Sequence, residues 1–128
     1  MQLNPDCVRS ILLTVENLTN GRIQYFFNNE MQVQSLIDEY CELQPYCYEE
    51  VDYHFMQCIK SGYIQGDIGS QYGFWFSDLT PEGHEFINTI RSSNIWKETL
   101  KKIKPLGTVS ITVISQVASA LAKAALGL

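Results

Sequence analysis

The side chains able to do chemistry are few and scattered. They are two histidines (His54 and His84), four cysteines (Cys7, Cys41, Cys47 and Cys58), the adjacent carboxylates Glu49 and Glu50, and a lysine-rich run from Lys97 to Lys104. His54 and Cys58 stand four residues apart, on one side of a helix, and with Cys41 and Cys47 they are ligand types that zinc accepts. Against a metal site, Cys58 falls on an apolar stripe and the Cys41–Cys47 spacing is unusual for zinc. Free cysteine commonly serves as a small buried hydrophobe. An enzyme needs a nucleophile, a base and an orienting group within reach of one another. Cysteine with histidine could in principle make a nucleophile pair, but beyond the shared helix side of His54 and Cys58 nothing aims a thiol at either imidazole, and no phosphate loop, dinucleotide fingerprint or nucleophile elbow is present. The expectation is therefore a non-enzymatic chain with no catalytic residue, no metal and no cofactor, in which His54 is a hydrogen-bonded boundary residue.

Charge is distributed unevenly. The net charge is −5, but residues 1–90 carry 13 acids against 3 bases, and residues 91–128 carry 6 bases against 1 acid. A basic segment is thus expected at Arg91, Lys97, Lys101, Lys102 and Lys104, with the plainest reading a solvated helix face. Asp6 and Arg9 interrupt any apolar run near the start, so no signal peptide is expected, and the cysteines read as reduced thiols of a cytoplasmic protein.

The elements that would position these groups follow from periodicity and punctuation. Asn4-Pro5-Asp6 opens a helix whose apolar face is Val8, Ile11, Leu12, Val15 and Leu18, with Leu13 off that face. Arg22–Asn28 reads as a short extended piece. A second helix is predicted over Met31–Leu43, ended by Pro45, and a third over Tyr48–Ser61, followed by Gly62 in a left-handed turn. A strand begins at Tyr63–Gly66, Gly69-Ser70-Gln71 forms a hairpin tip, and Tyr72–Ser77 returns. Thr80-Pro81-Glu82 starts a fourth helix with inner residues Gly83, Phe86, Ile87 and Ile90. A basic helix over Asn94–Lys104 and a small-residue tail over 107–128 complete the chain. Three helices followed by one β-hairpin is the winged-helix order. The predicted class is α+β: a winged helix-turn-helix-like body over 1–92 and a C-terminal helical extension over 93–128.

The segments NPDCVRSILLTVE, YEEVDYHFMQCIKSGYI and DLTPEGHEFINTIR resemble a family of bacterial and phage proteins called domain of unknown function 2513, over nearly the full length. The resemblance implies a winged-helix-like fold and a phage or prophage origin. It supplies no activity and no catalytic residues.

On a DNA-reading winged helix the third helix enters the major groove. Its outward positions here are Glu49, Glu50, Tyr53, Met56, Gln57 and Lys60, and the two leading carboxylates would repel phosphates. The hairpin tip carries no Arg or Lys. The preferred reading is a regulatory, protein-interaction module: Tyr53 and Met56 act as anchors and Glu49 and Glu50 orient a basic partner. A homo-oligomer is expected through Ile111, Ile114, Val117, Leu121 and Leu128 of the tail, where small residues permit close helix approach. The first alternative is a dimeric DNA-binding regulator. The second is a membrane-associated effector acting through the basic and apolar C-terminal helices, a reading weakened by Lys123, Gln116 and the frequent Ser and Thr of the tail.

Overall fold

A computed structural model describes residues 1–69 and 73–128. Among them the order is α1 (Pro5–Leu18), β1 (Tyr25–Phe27), α2 (Glu30–Glu39), α3 (Tyr48–Lys60), β2 (Ile64–Ile68), β3 (Phe74–Leu79), α4 (Pro81–Ile90), α5 (Ser93–Ile103) and α6 (Ile111–Ala125). The class is α+β, and α1 to β3 follow the winged-helix order. The expected hairpin tip falls largely on residues 70–72, outside the described residues, as does Tyr72, the expected start of the return strand.

Local chemistry sets the helix starts. The Asn4 side chain accepts from the backbone N–H groups of Asp6 and Cys7, with Pro5 leading the first turn. The Thr80 hydroxyl accepts from Gly83 N–H at 3.0 Å and donates to Gly62 O at 2.6 Å, so one side chain caps α4 and fastens it to the end of α3. Gly62, at φ +84°, makes the left-handed exit from α3. Two boundaries differ from expectation. The second helix ends at Glu39, because Tyr40 turns extended, and Cys41–Leu43 forms a separate 3-10 turn. The return strand runs to Leu79, two residues past the expected Ser77.

The three strands form an antiparallel sheet in the order β1-β3-β2. Tyr25 pairs with Phe76 and Phe27 with Phe74; Ser77 is the extra residue where the β2–β3 register shifts at Gln65/Gly66. Alternation sends Phe27, Phe74 and Phe76 inward, where Phe74 and Phe76 stack on Phe55 of α3 at 4.9 and 5.2 Å and Phe27 stacks on both of them at 5.3 and 5.6 Å. Phe26 and Trp75 face the other way, 6.3 Å apart, and Phe26 remains 55% exposed.

The core is continuous through α6. Cys7, Ile11, Val51, Phe55 and Ile87 share it with Trp96, Ile103, Ile111, Ile114 and Ala118. Trp96 donates its indole N–H to Asp6 at 2.9 Å, and Arg9 donates to the carbonyls of Ile90 and Arg91, closing the end of α4. The 92/93 division therefore marks a change of charge, and hydrophobic packing crosses it. Leu13, expected off the buried face, is half-buried and packs on the core.

Candidate functional site

The third helix presents less free surface than its spacing suggests. Of the six outward positions, Glu49 and Lys60 are exposed; Glu50, Tyr53, Met56 and Gln57 are half-buried. Glu50 turns back on its own helix start, its Oε1 accepting from Cys47 N–H at 3.3 Å. Met56 packs on the core. Tyr53 and Gln57 line a groove of about 370 Å³ whose other wall is Met1–Leu3 and Thr108–Ile111. The chain's own N-terminal arm and the lead-in to α6 thus stand beside the face that would have to enter a DNA groove.

His54, next to Tyr53, is 1% exposed. Its Nε2 accepts from Asn4 N–H at 2.8 Å, so Nδ1 carries the proton and donates to Glu50 O at 2.7 Å. Burial lowers its pKa, opposed by the Glu50 carbonyl. The residue expected at the boundary is a buried strut between α1 and α3. Cys7 and Cys58 are buried as well; burial pushes the Cys7 thiol up to about 12 and raises that of Cys58 further, which keeps both protonated. Among the described residues no group of three or more His, Cys, Asp or Glu could hold a metal ion.

The basic segment divides. Arg91 makes a two-pronged bond to Glu16, 2.7 Å on each side, and its Nη2 also reaches Asn88. That bond holds the Glu16 carboxyl below its usual range. Arg91 is therefore a structural clamp between α1 and α4 and no part of a free basic stripe. Lys97, Lys101, Lys102 and Lys104 are exposed on α5 and just beyond it. Lys101 lies 3.8 Å from Glu98.

The oligomerisation set divides too. Ile111 and Ile114 are 2% and 0% exposed against this chain's own α1, α4 and α5, so they are unavailable to a second copy. Ile111 and Ile114, expected to meet a second copy, instead pack within this chain: with Ala118 they recur at helical spacing on the inward face, and the small Ala118 lets the backbone come close. Val117 and Leu121 are half-buried, and Leu128 is 87% exposed. Leu126, 75% exposed, joins Leu128 at the free end. No helix among the described residues is long and apolar enough to cross a membrane.

Sequence reasoning missed a pocket of about 210 Å³ between the end of β1, the start of α2, the first turns of α3 and the base of the β2–β3 hairpin. It is lined by Phe27, Asn28, Asn29, Tyr48, Asp52 and Gly73. Gly73, at φ +90°, is required there: a Cβ would meet Phe27 O at 2.5 Å. Burial raises the Asp52 carboxyl. Tyr48 is raised by desolvation, then by the carboxylates of Asp52, Glu30 and Glu49. The available signal was Tyr48 and Asp52 one turn apart, with the Asn28-Asn29 pair ahead of α2.

Searches of curated proteins and of solved structures returned no match. The model of the family described as "Hypothetical protein (DUF2513)" matches residues 2–110, from the N-terminal arm to the N-cap of α6, and the chain belongs to that family.

Proposed function

We propose that the chain is a non-enzymatic, winged-helix-like regulatory module that acts by binding a protein, with the acidic start of α3 as its docking surface. The observation that carries this reading is the state of the α3 face. Glu49 leads it exposed and Glu50 and Asp52 follow, while Tyr53 and Gln57 sit against Met1–Leu3 and Thr108–Ile111. A DNA reader needs that face bare and cationic, because phosphate neutralisation supplies most of the affinity. A basic protein surface needs it acidic, and complementary charge raises association rates. The exposed Phe26 and the neighbouring Trp75 add aromatic area of the kind enriched at interfaces. The phage or prophage setting implied by family resemblance fits a host protein as partner. Self-association belongs to the same proposal, through Val117, Leu121, Leu126 and Leu128 at the far end of α6.

A photo-crosslinking amino acid in place of Glu49, in cells expressing the chain, tests this. The expected adduct is destroyed by protease and survives nuclease. A nuclease-sensitive adduct, or tight and salt-steep binding to one DNA sequence in gel shift, overturns it. The second reading, a DNA-binding dimer, draws on the four exposed lysines at 97, 101, 102 and 104, and the same gel shift decides it.

A further inference from the structure

The pocket beside α3 encloses one carboxylate of the acidic surface between walls. Half-buried Tyr48 supplies an aromatic side, buried Phe27 an apolar floor, Asn28 and Asn29 supply amides, and Asp52 supplies one carboxylate. Among the described residues no Lys, Arg or His lies within ion-pair distance of Asp52. A carboxylate drawn part-way out of water without a cation is a cost to the free chain, and the raised Asp52 carboxyl expresses that cost. Glu30 and Glu49 lie close enough to act on Tyr48 and add negative charge near the pocket. The volume is below that of a typical pocket for a drug-sized molecule, which starts near roughly 300 Å³. It suits one long side chain.

We infer that this pocket is an anchor site for the guanidinium of an arginine presented by a basic segment of the partner. The Tyr48 ring offers an aromatic surface against which a planar cation packs, the buried Phe27 closes the floor, Asp52 offers a carboxylate for paired N–H bonds, and the Asn28 amide oxygen offers a further acceptor. A lysine ammonium would satisfy the charge but would neither stack as well nor span two acceptors. Residues 1–90 together carry 13 acids against 3 bases, so a basic segment is drawn to this half of the molecule before the anchor seats. The site rests on the protein-binding reading above and gives it a chemical address, at positions 48 and 52 rather than 53 and 56.

The test is an NMR titration of the 15N-labelled full chain with N-acetyl-arginine amide, and separately with its lysine and citrulline counterparts. Citrulline keeps the shape and loses the charge. Arginine is expected to give saturable shifts of the Asn29, Asp52 and Gly73 amides, with lysine weaker and citrulline weaker by roughly tenfold or more. Asp52→Asn should lose the arginine shifts and keep the native spectrum elsewhere. Tyr48→Phe should bind, and Tyr48→Leu should bind less. Equal binding of citrulline, undiminished binding by D52N, or no saturable shift with arginine at millimolar concentration each overturns the assignment. If the titration fails while Glu49 still crosslinks to protein, the pocket is wrong and the protein-binding reading stands. If the pocket binds arginine while Glu49 crosslinks to nucleic acid, the broader reading is wrong.

Discussion

His54 holds two backbone groups at once, one from α1 and one from α3, and does so in its neutral form. Protonation would set a second N–H against that of Asn4. The folded pKa is lowered from the usual 6.5, so below that pH the unfolded chain takes up a proton that the folded ring resists. Stability is therefore expected to fall as pH drops from about 6.5. Thermal melts from pH 7.5 to 5.5 should show this loss in the native chain and a flatter profile in His54→Gln, which starts lower by about 1–3 kcal/mol for a disturbed buried polar network. A native profile as flat as that of the variant would rule out His54 as the source. Glu16 acts in the other direction along the chain's surface. Its bond to Arg91 is two-pronged but partly exposed, so Glu16→Gln should cost about 0.5–1 kcal/mol in urea unfolding, and less in high salt. From sequence His54 was legible as hydrogen-bonded but not as buried, because one of its two partners is the N-cap residue of α1, fifty positions earlier. Arg91 looked like one more base in a basic run; nothing local marks Glu16, 75 residues away, as its partner.

At the level of elements, α4 is placed by what it lacks. A Cβ on Gly83 would come within 2.0 Å of Tyr63 O, a backbone atom. Gly83→Ala must push α4 off the start of β2, at an expected cost on the order of 3 kcal/mol. Gly62→Ala is the control. Nothing lies within 4 Å of its Cβ, and its φ of +84° leaves only left-handed strain, about 1 kcal/mol. Equal losses for the two in chemical denaturation would refute the close-approach account. Caps and turn glycines were the readable part of these elements, since Asn4, Thr80 and Gly62 act within a few residues of themselves. The break in α2 was not readable. Val33, Leu36, Ile37, Tyr40 and Leu43 continue a helical spacing, and the 3-10 turn buries Leu43 on the same side that a continued helix would. The hydrophobic pattern is indifferent to the extended residue between them.

For the whole molecule, the charge boundary near residue 91 and the core do not coincide. α6 packs on α1, α4 and α5, with Ile111, Ile114 and Ala118 sealed inside, while Leu126 and Leu128, just beyond its last residue, are exposed. The proposed self-association and the folding of the chain would then rest on different residues of this C-terminal segment. Leu121→Glu combined with Leu128→Glu should convert an oligomer to a monomer in light scattering with little change in melting temperature. Ala118→Glu should instead lose the cooperative transition, because it buries an unpaired charge. A wild-type chain that is already monomeric at high micromolar concentration would remove the self-association claim. The fold class and element order were legible because periodicity and punctuation are local properties. The anchor pocket was not, because Phe27, Tyr48 and Gly73 meet only after the sheet has closed, and Asp52 in the sequence is one acid among many.

The bond between Trp96 and Asp6 also gives the molecule an internal optical label. Trp96 is 5% exposed, with the Arg9 guanidinium 5.8 Å from its ring centre, whereas Trp75 sits half-buried on the outer face of the sheet. In a Trp75→Phe chain all indole emission would come from α5. Its wavelength would then follow the docking of the C-terminal helices on α1, independently of events at the aromatic face of the sheet. With Trp96→Phe, the remaining indole would report on the outer face of the sheet alone.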